Sequence, residues 1–453
     1  MRWDFQVSPD SYSRREEFLE TETPSYAESG MTEMAASIQG DVRAKAQAAR
    51  QGAARMARVS TDVKNRALLA MAERLVAETD FLLSENAKDV AAAHAQGQAA
   101  PLVERLTLNS ARVGEMAAGL REVAALPDPV GEILGLTRRP NGMQVGQMRV
   151  PIGLIGIVYE SRPNVTADVV ALCVKSGNGV LLRGGSEAIH SNRAIARLLQ
   201  EAAGASGLPV DAIQLLDQTD RQAILEMLGL VGIVDLIIPR GGVGLMRLVD
   251  ENARVPVMKH DAGICHIYVD ESADLRMAEA ICVNAKVQRP AVCNAMETLL
   301  VHRAVAPAFL PSLVKQLTDA GCTLRGCPKT LALLPTLAPA TEEDWRTEYL
   351  ALILSIKIVD HLDEAMAHIA TYGSAHSEAI VTQSYPRAMR FLREVDASAV
   401  LVNASTRLND GFQFGLGAEM GISTSRIHAR GPMGLTALTC TKFIVLGDGQ
   451  LRQ

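Results

Sequence analysis

From Pro151 onward the chain alternates short, continuously apolar runs with amphipathic stretches, and this rhythm restricts the possible folds more than any other feature. The first runs cover 152–159, 180–183, 213–216, 234–239 and 255–258. The stretches between them carry helical periodicity over roughly 10–17 residues. Strands that are apolar along their whole length, rather than at every second residue, are buried on both faces. Such runs predict parallel sheets covered by helices on each side. A second series follows at 265–269, 298–302, 353–359, 379–382 and 399–403. The fold class is therefore α/β, with two Rossmann-like units in series and no sequence repeat between them.

The segment before Pro151 has a different character. Residues 34–59 are Ala-rich and helical in pattern. Thr61 is placed to N-cap a second helix, with Leu68, Leu69, Ala72, Leu75 and Val76 on one face. Another helix follows Asn109, with Val113, Met116, Leu120 and Val123 on one side, and the Leu-Pro-Asp-Pro run at 126–129 stops it. Residues 136–138 and 143–150 flank Pro140-Asn141-Gly142, a turn signal, and predict a protruding hairpin. The last apolar run, 440–446 before Gly447-Asp448-Gly449, reads as a strand able to pair with that hairpin.

Length and composition set further limits. A chain of 453 residues suggests two or three domains. The net charge of -6 argues against a nucleic-acid carrier. Residues 1–30 hold seven acids against three bases, which is four of those six net negative charges. Residues 1–32 are accordingly expected to be a disordered leader. No signal-peptide pattern opens the chain, and no apolar run approaches the roughly 20 residues of a membrane span. The expected location is cytoplasmic. Seven dispersed cysteines imply reduced thiols rather than a disulfide framework. Neither the cysteines nor the histidines show metal-ligand spacing, so no metal is expected.

Four segments carry candidate chemistry. Two glycine-rich loops, Arg183-Gly184-Gly185-Ser186-Glu187 and Pro239-Arg240-Gly241-Gly242-Val243-Gly244, follow predicted strands. Glycine lets a backbone approach a phosphate, and the helix beyond it presents N–H donors. A tight helix entry without ligand is the alternative, since no GxGxxG is present. The segment 288–294 carries Cys293 in a short loop, with Arg289 as a possible cation to activate the thiol; an inert buried cysteine is the alternative. The segment 159–166 places Asn164 at the carboxyl end of a strand, as an oxyanion donor or as a helix cap.

Several long motifs together give this chain a family resemblance. VPIGLIGIVYESRPNVT (150–166), LRGGSEA (182–188), IPRGG (238–242), CHIYVDE (265–271), NAKVQRPAVCN (284–294), VNASTR (402–407), FGLGAE (414–419) and HARGPMGL (428–435) occur in order. From about Met34 to Gly449 the chain resembles the γ-glutamyl phosphate reductase (glutamate-5-semialdehyde dehydrogenase) branch of the aldehyde dehydrogenase superfamily.

The resemblance implies a cofactor domain (33–135 and 151–263), a catalytic domain (264–435) and a small β oligomerisation flap (136–150 and 436–453). It implies NADPH-dependent reduction of L-glutamyl 5-phosphate in L-proline biosynthesis, by a homo-oligomer supplied by a separate glutamate 5-kinase. Cys293 would be the nucleophile, and Asn164 with the Cys293 N–H the oxyanion hole. Arg183, Gly184, Gly185, Ser186, Arg240, Gly241, Gly242 and Glu348 would lie on the cofactor. Arg162, Arg289, Arg407 and Arg430 are candidates for the substrate's anionic groups, a structural salt bridge being the alternative for each. Hydrolytic relatives need a glutamate near 260–263 to activate water, and none is present there. The chain departs from the pattern at 258–262 and at Ile353, both of which bear on cofactor contacts. Another member of the superfamily, reducing acyl-CoA or oxidising aldehydes, is the competing function, and a non-catalytic scaffold the third.

Overall fold

The computed structural model of the protein describes residues 26–259 and 262–452. Five helices come first: α1 Tyr26–Met56, α2 Thr61–Ala77, α3 Thr79–Ala95, α4 Ala100–Leu106 and α5 Ser110–Ala125. Residues 26–32, expected in the disordered leader, are thus the first turns of α1, and residues 1–25 lie outside the described residues. The Asn109 side chain caps α5 by accepting the Arg112 N–H at 2.8 Å. Thr61 does not cap α2 as expected; Ser60 holds the cap position, and the Thr61 hydroxyl donates to Asp128 instead. The apolar face of α2 is also narrower than its sequence suggests. Leu68, Met71, Ala72 and Leu75 are buried against α5 and the helix 189–205, whereas Leu69 and Val76 are 43% and 46% exposed. One side of the helix meets its partners, so apolar residues rotated off that line stay in water.

Two strands follow, β1 Ile133–Arg138 and β2 Gln144–Pro151, paired antiparallel as a hairpin. Beyond them β3 Leu154–Tyr159, β4 Gly179–Gly184, β5 Ile213–Leu215 and β6 Leu236–Arg240 form a parallel sheet in the order β5-β4-β3-β6. Helices α6 Asn164–Lys175, α7 Ile189–Ala205, α8 Gln222–Leu228 and α9 Val243–Asn252 connect and follow these strands. The run at 255–258, read from sequence as a fifth strand, makes only a bridge between Val257 and Ile237. Pro256 lacks the N–H that a ladder needs and contributes only its carbonyl, to the Ile237 N–H at 2.8 Å.

Helix α10 Leu275–Val287 lies in the second unit. Its sheet is built from β7 Cys265–Val269, β8 Met296–His302, β9 Thr323–Gly326, β10 Ala338–Pro339, β11 Ile353–Val359, β12 Ser377–Val381 and β13 Ala399–Val402. All pairings are parallel, in the order β10-β9-β11-β8-β7-β12-β13. The sequence reading missed β9 and β10, short strands with little apolar content at one end of the sheet. A ribbon of β14 Ile422–Ser423 and β15 Gly431–Pro432 follows. Finally β16 Thr439–Leu446 pairs antiparallel with β2 along eight residues, completing a three-stranded flap. Before reaching it the chain buries Met420, Met433, Leu435 and Leu438 in the core of the first unit. The segment 420–438 therefore packs across the expected boundary at 435. Among the described residues no helix is long and apolar enough to cross a membrane.

Candidate active site

In the first sheet β4 lies on one side of β3 and β6 on the other. The connections leave β3 in opposite directions, so a crevice opens at the carboxyl ends of β3 and β6, where open α/β sheets take their ligands. Three loops meet there: 160–163, 184–188 and 240–242. The Glu160 N–H bonds the Arg240 carbonyl at 3.1 Å. The Glu160 carboxylate accepts the Gly242 N–H, at the start of α9, at 2.9 Å. The Glu187 carboxylate accepts from the Ser161 N–H and hydroxyl at 2.6 and 2.9 Å. A Cβ on Gly185 would overlap the Glu187 carboxylate, and one on Gly241 the Glu160 carboxylate. The two carboxylates thus lie directly against the bare backbone of these glycines. Arg183 is buried and its guanidinium donates to the carbonyls of Gly184, Thr219 and Asp220 at 2.7–3.1 Å. In this structure it braces the loops. Ser186 is exposed in the short turn that follows.

Cys293 lies in the loop between α10 and β8, at the amino edge of the second sheet. It is half-buried, whereas Cys173, Cys265, Cys282, Cys322 and Cys327 are buried and Cys440 is exposed. Its loop is held on several sides. A Cβ on Gly263 would collide with the Cys293 carbonyl, so that glycine lets two backbones pass in contact. The Gly263 N–H in turn donates to Glu348 Oε1 at 2.8 Å. Cys265 Sγ donates to the Cys293 carbonyl at 3.2 Å. Asn294, the next residue, donates to the Asn409 carbonyl at 3.0 Å and accepts from Arg407.

Burial pushes the Cys293 thiol up to about 11, Arg240 pulls it down, and Glu348 and Glu419 oppose Arg240. The cation acting most strongly on the sulfur is therefore Arg240, at the end of β6, and not the adjacent Arg289 expected from sequence. Arg240 thus joins the two halves of the site electrostatically. Its guanidinium packs where a Cβ on Gly421 would stand.

Asn164 is the first residue of α6 and caps nothing, the cap position being Pro163. Its amide donates to Asp168 Oδ2, one turn on, at 3.1 Å. Burial raises Asp168 to about 6, while Asn164 and Arg240 lower it. Glu348 is also raised by burial, against the Gly263 N–H and Lys286. Sequence reasoning missed two acids here. Asp168 stands four residues after Asn164 on the same helical face. Glu419, which accepts the Gly411 N–H at 3.0 Å and is raised by burial to about 7, ends the FGLGAE stretch.

The candidate arginines separate into two groups. Desolvation lowers Arg162, as do the charges of Arg240, Arg105 and Arg289, and Arg162 also feels the Cys293 sulfur. Arg407 likewise feels Arg289 and Cys293. It donates to Gln288 Oε1 at 2.9 Å as well as to Asn294. Arg162, Arg240 and Arg407 therefore interact with the thiol, and Arg289 acts on Arg162 and Arg407. Arg430 does neither; it pairs with Asp396 at 2.7 Å, next to Arg426, as a surface ion pair.

The model of the aldehyde dehydrogenase family matches residues 12–323. The chain is 58% identical over 409 residues to the γ-glutamyl phosphate reductase of Thermodesulfovibrio yellowstonii, covering 90% of this chain and 98% of that one. It is 55% identical over 413 residues to the γ-glutamyl phosphate reductase of Caldanaerobacter subterraneus subsp. tengcongensis, covering 91% and 100%. The crystal structure of γ-glutamyl phosphate reductase from Thermotoga maritima superimposes with a TM-score of 0.89 at 48% identity, over 91% of this chain and 100% of that one.

Proposed function

Since the chain belongs to the γ-glutamyl phosphate reductase family of aldehyde dehydrogenases, and so reduces glutamyl phosphate in proline biosynthesis, we propose that Cys293 is its nucleophile and that the surrounding arginines bind the substrate's anionic groups. The observation that carries this reading is the half-buried thiol of Cys293 set among Arg240, Arg162 and Arg407.

Attack by Cys293 Sγ on the acyl carbon moves an electron pair onto the carbonyl oxygen. The Asn164 amide has two hydrogens, of which Asp168 engages one; the other, with the Cys293 N–H, serves the oxyanion. Each such donor is worth roughly 2.7–4 kcal/mol to a developing oxyanion. Collapse expels phosphate, already a good leaving group, and leaves a thioester on Cys293. When bound, the reduced nicotinamide supplies the hydride that takes this thioester to the aldehyde level. Arg240 favours both the attacking thiolate and the departing phosphate dianion.

Aldehyde dehydrogenases use a nicotinamide dinucleotide. The crevice at the ends of β3 and β6 suits one: Gly184, Gly185 and Gly241 are packed close against neighbouring side chains, and the Gly242 N–H at the start of α9 already receives an anionic oxygen, that of Glu160. Gly184, Gly185, Ser186, Arg240, Gly241 and Gly242 would hold it, with Glu348 toward the Cys293 loop and Arg183 bracing from behind. NADPH, rather than NADH, is the form we assign, on the strength of the family resemblance. Cytoplasmic location, assembly into a homo-oligomer through the flap, and supply of the acyl phosphate by a separate glutamate 5-kinase belong to the same reading.

The reverse reaction tests it. Glutamate 5-semialdehyde with NADP should yield NADPH only when inorganic phosphate is present. NADPH formation without phosphate, or with coenzyme A in its place, would assign the site to another aldehyde dehydrogenase chemistry.

A further inference from the structure

We propose that Gln288 is a positioning residue that, together with Asn294, aims Arg407 at an anionic group of the substrate while leaving the arginine's charge uncompensated. The inference rests on the reading of Arg407 as a substrate-binding arginine and names what holds it in place.

Arg407 ties together the two ends of the nucleophile loop. Its Nε donates to Gln288 Oε1 at 2.9 Å, and its Nη1 donates to Asn294 Oδ1. Gln288 closes helix α10, its N–H bonding to the Asn284 carbonyl at 3.3 Å. Asn294 directly follows Cys293. One guanidinium thus bridges the residues on either side of loop 289–293.

The turn that carries Arg407 is fixed as well. The Ser405 hydroxyl accepts the Arg407 N–H at 3.3 Å. Two residues beyond Arg407, the buried Asn409 donates to the Ser377 hydroxyl at 2.8 Å, and its carbonyl accepts from the Asn294 amide at 3.0 Å. Asn294 therefore joins the Cys293 loop to this turn twice, through the Asn409 carbonyl and through the guanidinium.

Both partners of the guanidinium are neutral. Asp410 also acts on the Arg407 charge, but its carboxylate accepts the N–H groups of Phe412 and Gln413 at 2.9 and 3.3 Å. Among the described residues no carboxylate forms an ion pair with Arg407, and its Nη2 makes no hydrogen bond. Other half-buried arginines are held by acids: Arg149 by Glu132 at 2.7 Å, and Arg325 by Asp344. A carboxylate would orient the group equally well, but it would cancel the charge that an incoming phosphate or carboxylate needs. Amide oxygens orient the fork and leave the charge in place, with both N–H groups of Nη2 still to give.

The test is the reverse reaction of the full-length enzyme with glutamate 5-semialdehyde, inorganic phosphate and NADP. Gln288→Glu keeps the acceptor and adds the missing negative charge. It should raise KM for the semialdehyde or for phosphate about 3- to 30-fold, part of what losing a charged hydrogen bond costs. The kcat should stay within about threefold and KM for NADP within about twofold, with a melting temperature at or above wild type. The substrate whose KM rises identifies the anion that faces Arg407. Gln288→Ala, which loosens the guanidinium without neutralising it, should raise the same KM less. A purely structural bond predicts the opposite order, with Gln288→Glu nearest to wild type. That order, or a change confined to KM for NADP, overturns the proposal. Arg407→Gln with wild-type KM for both semialdehyde and phosphate would instead sink the underlying reading, and the proposal with it.

Discussion

At the scale of single residues, the site depends on how burial and a cation act in opposite directions on one sulfur. Burial makes the Cys293 thiolate costly, and Arg240 recovers part of that cost from across the crevice. Cys293→Ser should therefore lose at least about a thousandfold in kcat, as when other covalent nucleophiles are removed, while NADPH binding followed by fluorescence stays near wild type. Cys265→Ala is the control, because that thiol is buried in β7, where it meets the Cys293 carbonyl from behind and His376 Nδ1 at 3.7 Å; a loss within about tenfold is expected. Glu419 supplies a pH test. Its folded value of about 7 stands above the usual 4.5, so the folded state binds that proton more tightly. The stability that goes with this is present below about pH 4.5 and is lost as the pH rises to about 7. Glu419→Gln keeps an acceptor for the Gly411 N–H and removes the buried charge. Its melting temperature should match wild type near pH 5 and exceed it at pH 8, by the equivalent of about 1–3 kcal/mol. An equal shift at both pH values would mean that the carboxylate's charge is not the cause. The sequence made candidates of Cys293, Asn164 and the glycine loops because their motifs are contiguous. It did not reveal Arg240 as the cation on the sulfur, or Asp168 and Glu419 as neighbours, because those relations cross between distant segments.

At the scale of elements, backbone approach overrides local propensity. Gly52 lies inside α1, where alanine would be favoured by about 1 kcal/mol. A Cβ at that position, however, would overlap the backbone at Asp211 and Ala212. Gly52→Ala should therefore lower the melting temperature, by the equivalent of about 1–3 kcal/mol for an overpacked contact. Gly40→Ala on the same helix meets nothing within 4 Å and should raise it slightly. Stabilisation by both substitutions would show that α1 does not press on the 211–212 turn. The same logic explains the elements that periodicity misjudged. Leu69 and Val76 fit the helical pattern of α2, yet its partners cover only one side. The run at 255–258 is apolar enough for a strand, yet Pro256 prevents it from continuing the ladder.

At the scale of the whole molecule, the two parallel sheets and the three-stranded flap are separate sheets, and the Asn178 side chain donates to the Leu438 carbonyl at the base of the flap. On that flap Phe443, Val445 and Leu446 are exposed, as are Ile133 and Leu136, an apolar surface suited to subunit contact. Gly146 faces the β1 bulge, where a Cβ would overlap the Gly135 carbonyl. Gly146→Val should displace β1 and yield a smaller assembly by light scattering; an unchanged mass would place the subunit contacts elsewhere. By itself the sequence determined the α/β class, most strands of both sheets and the hairpin, and it singled out Cys293 as the candidate nucleophile. Apolar periodicity, turn residues and contiguous motifs are local, and a linear chain displays them directly. Only the tertiary structure decided that 420–438 returns to the first core and that Arg240 is the cation acting on the sulfur. Those facts are set by which distant surfaces become neighbours when burial brings them together, and no window along the chain contains both partners.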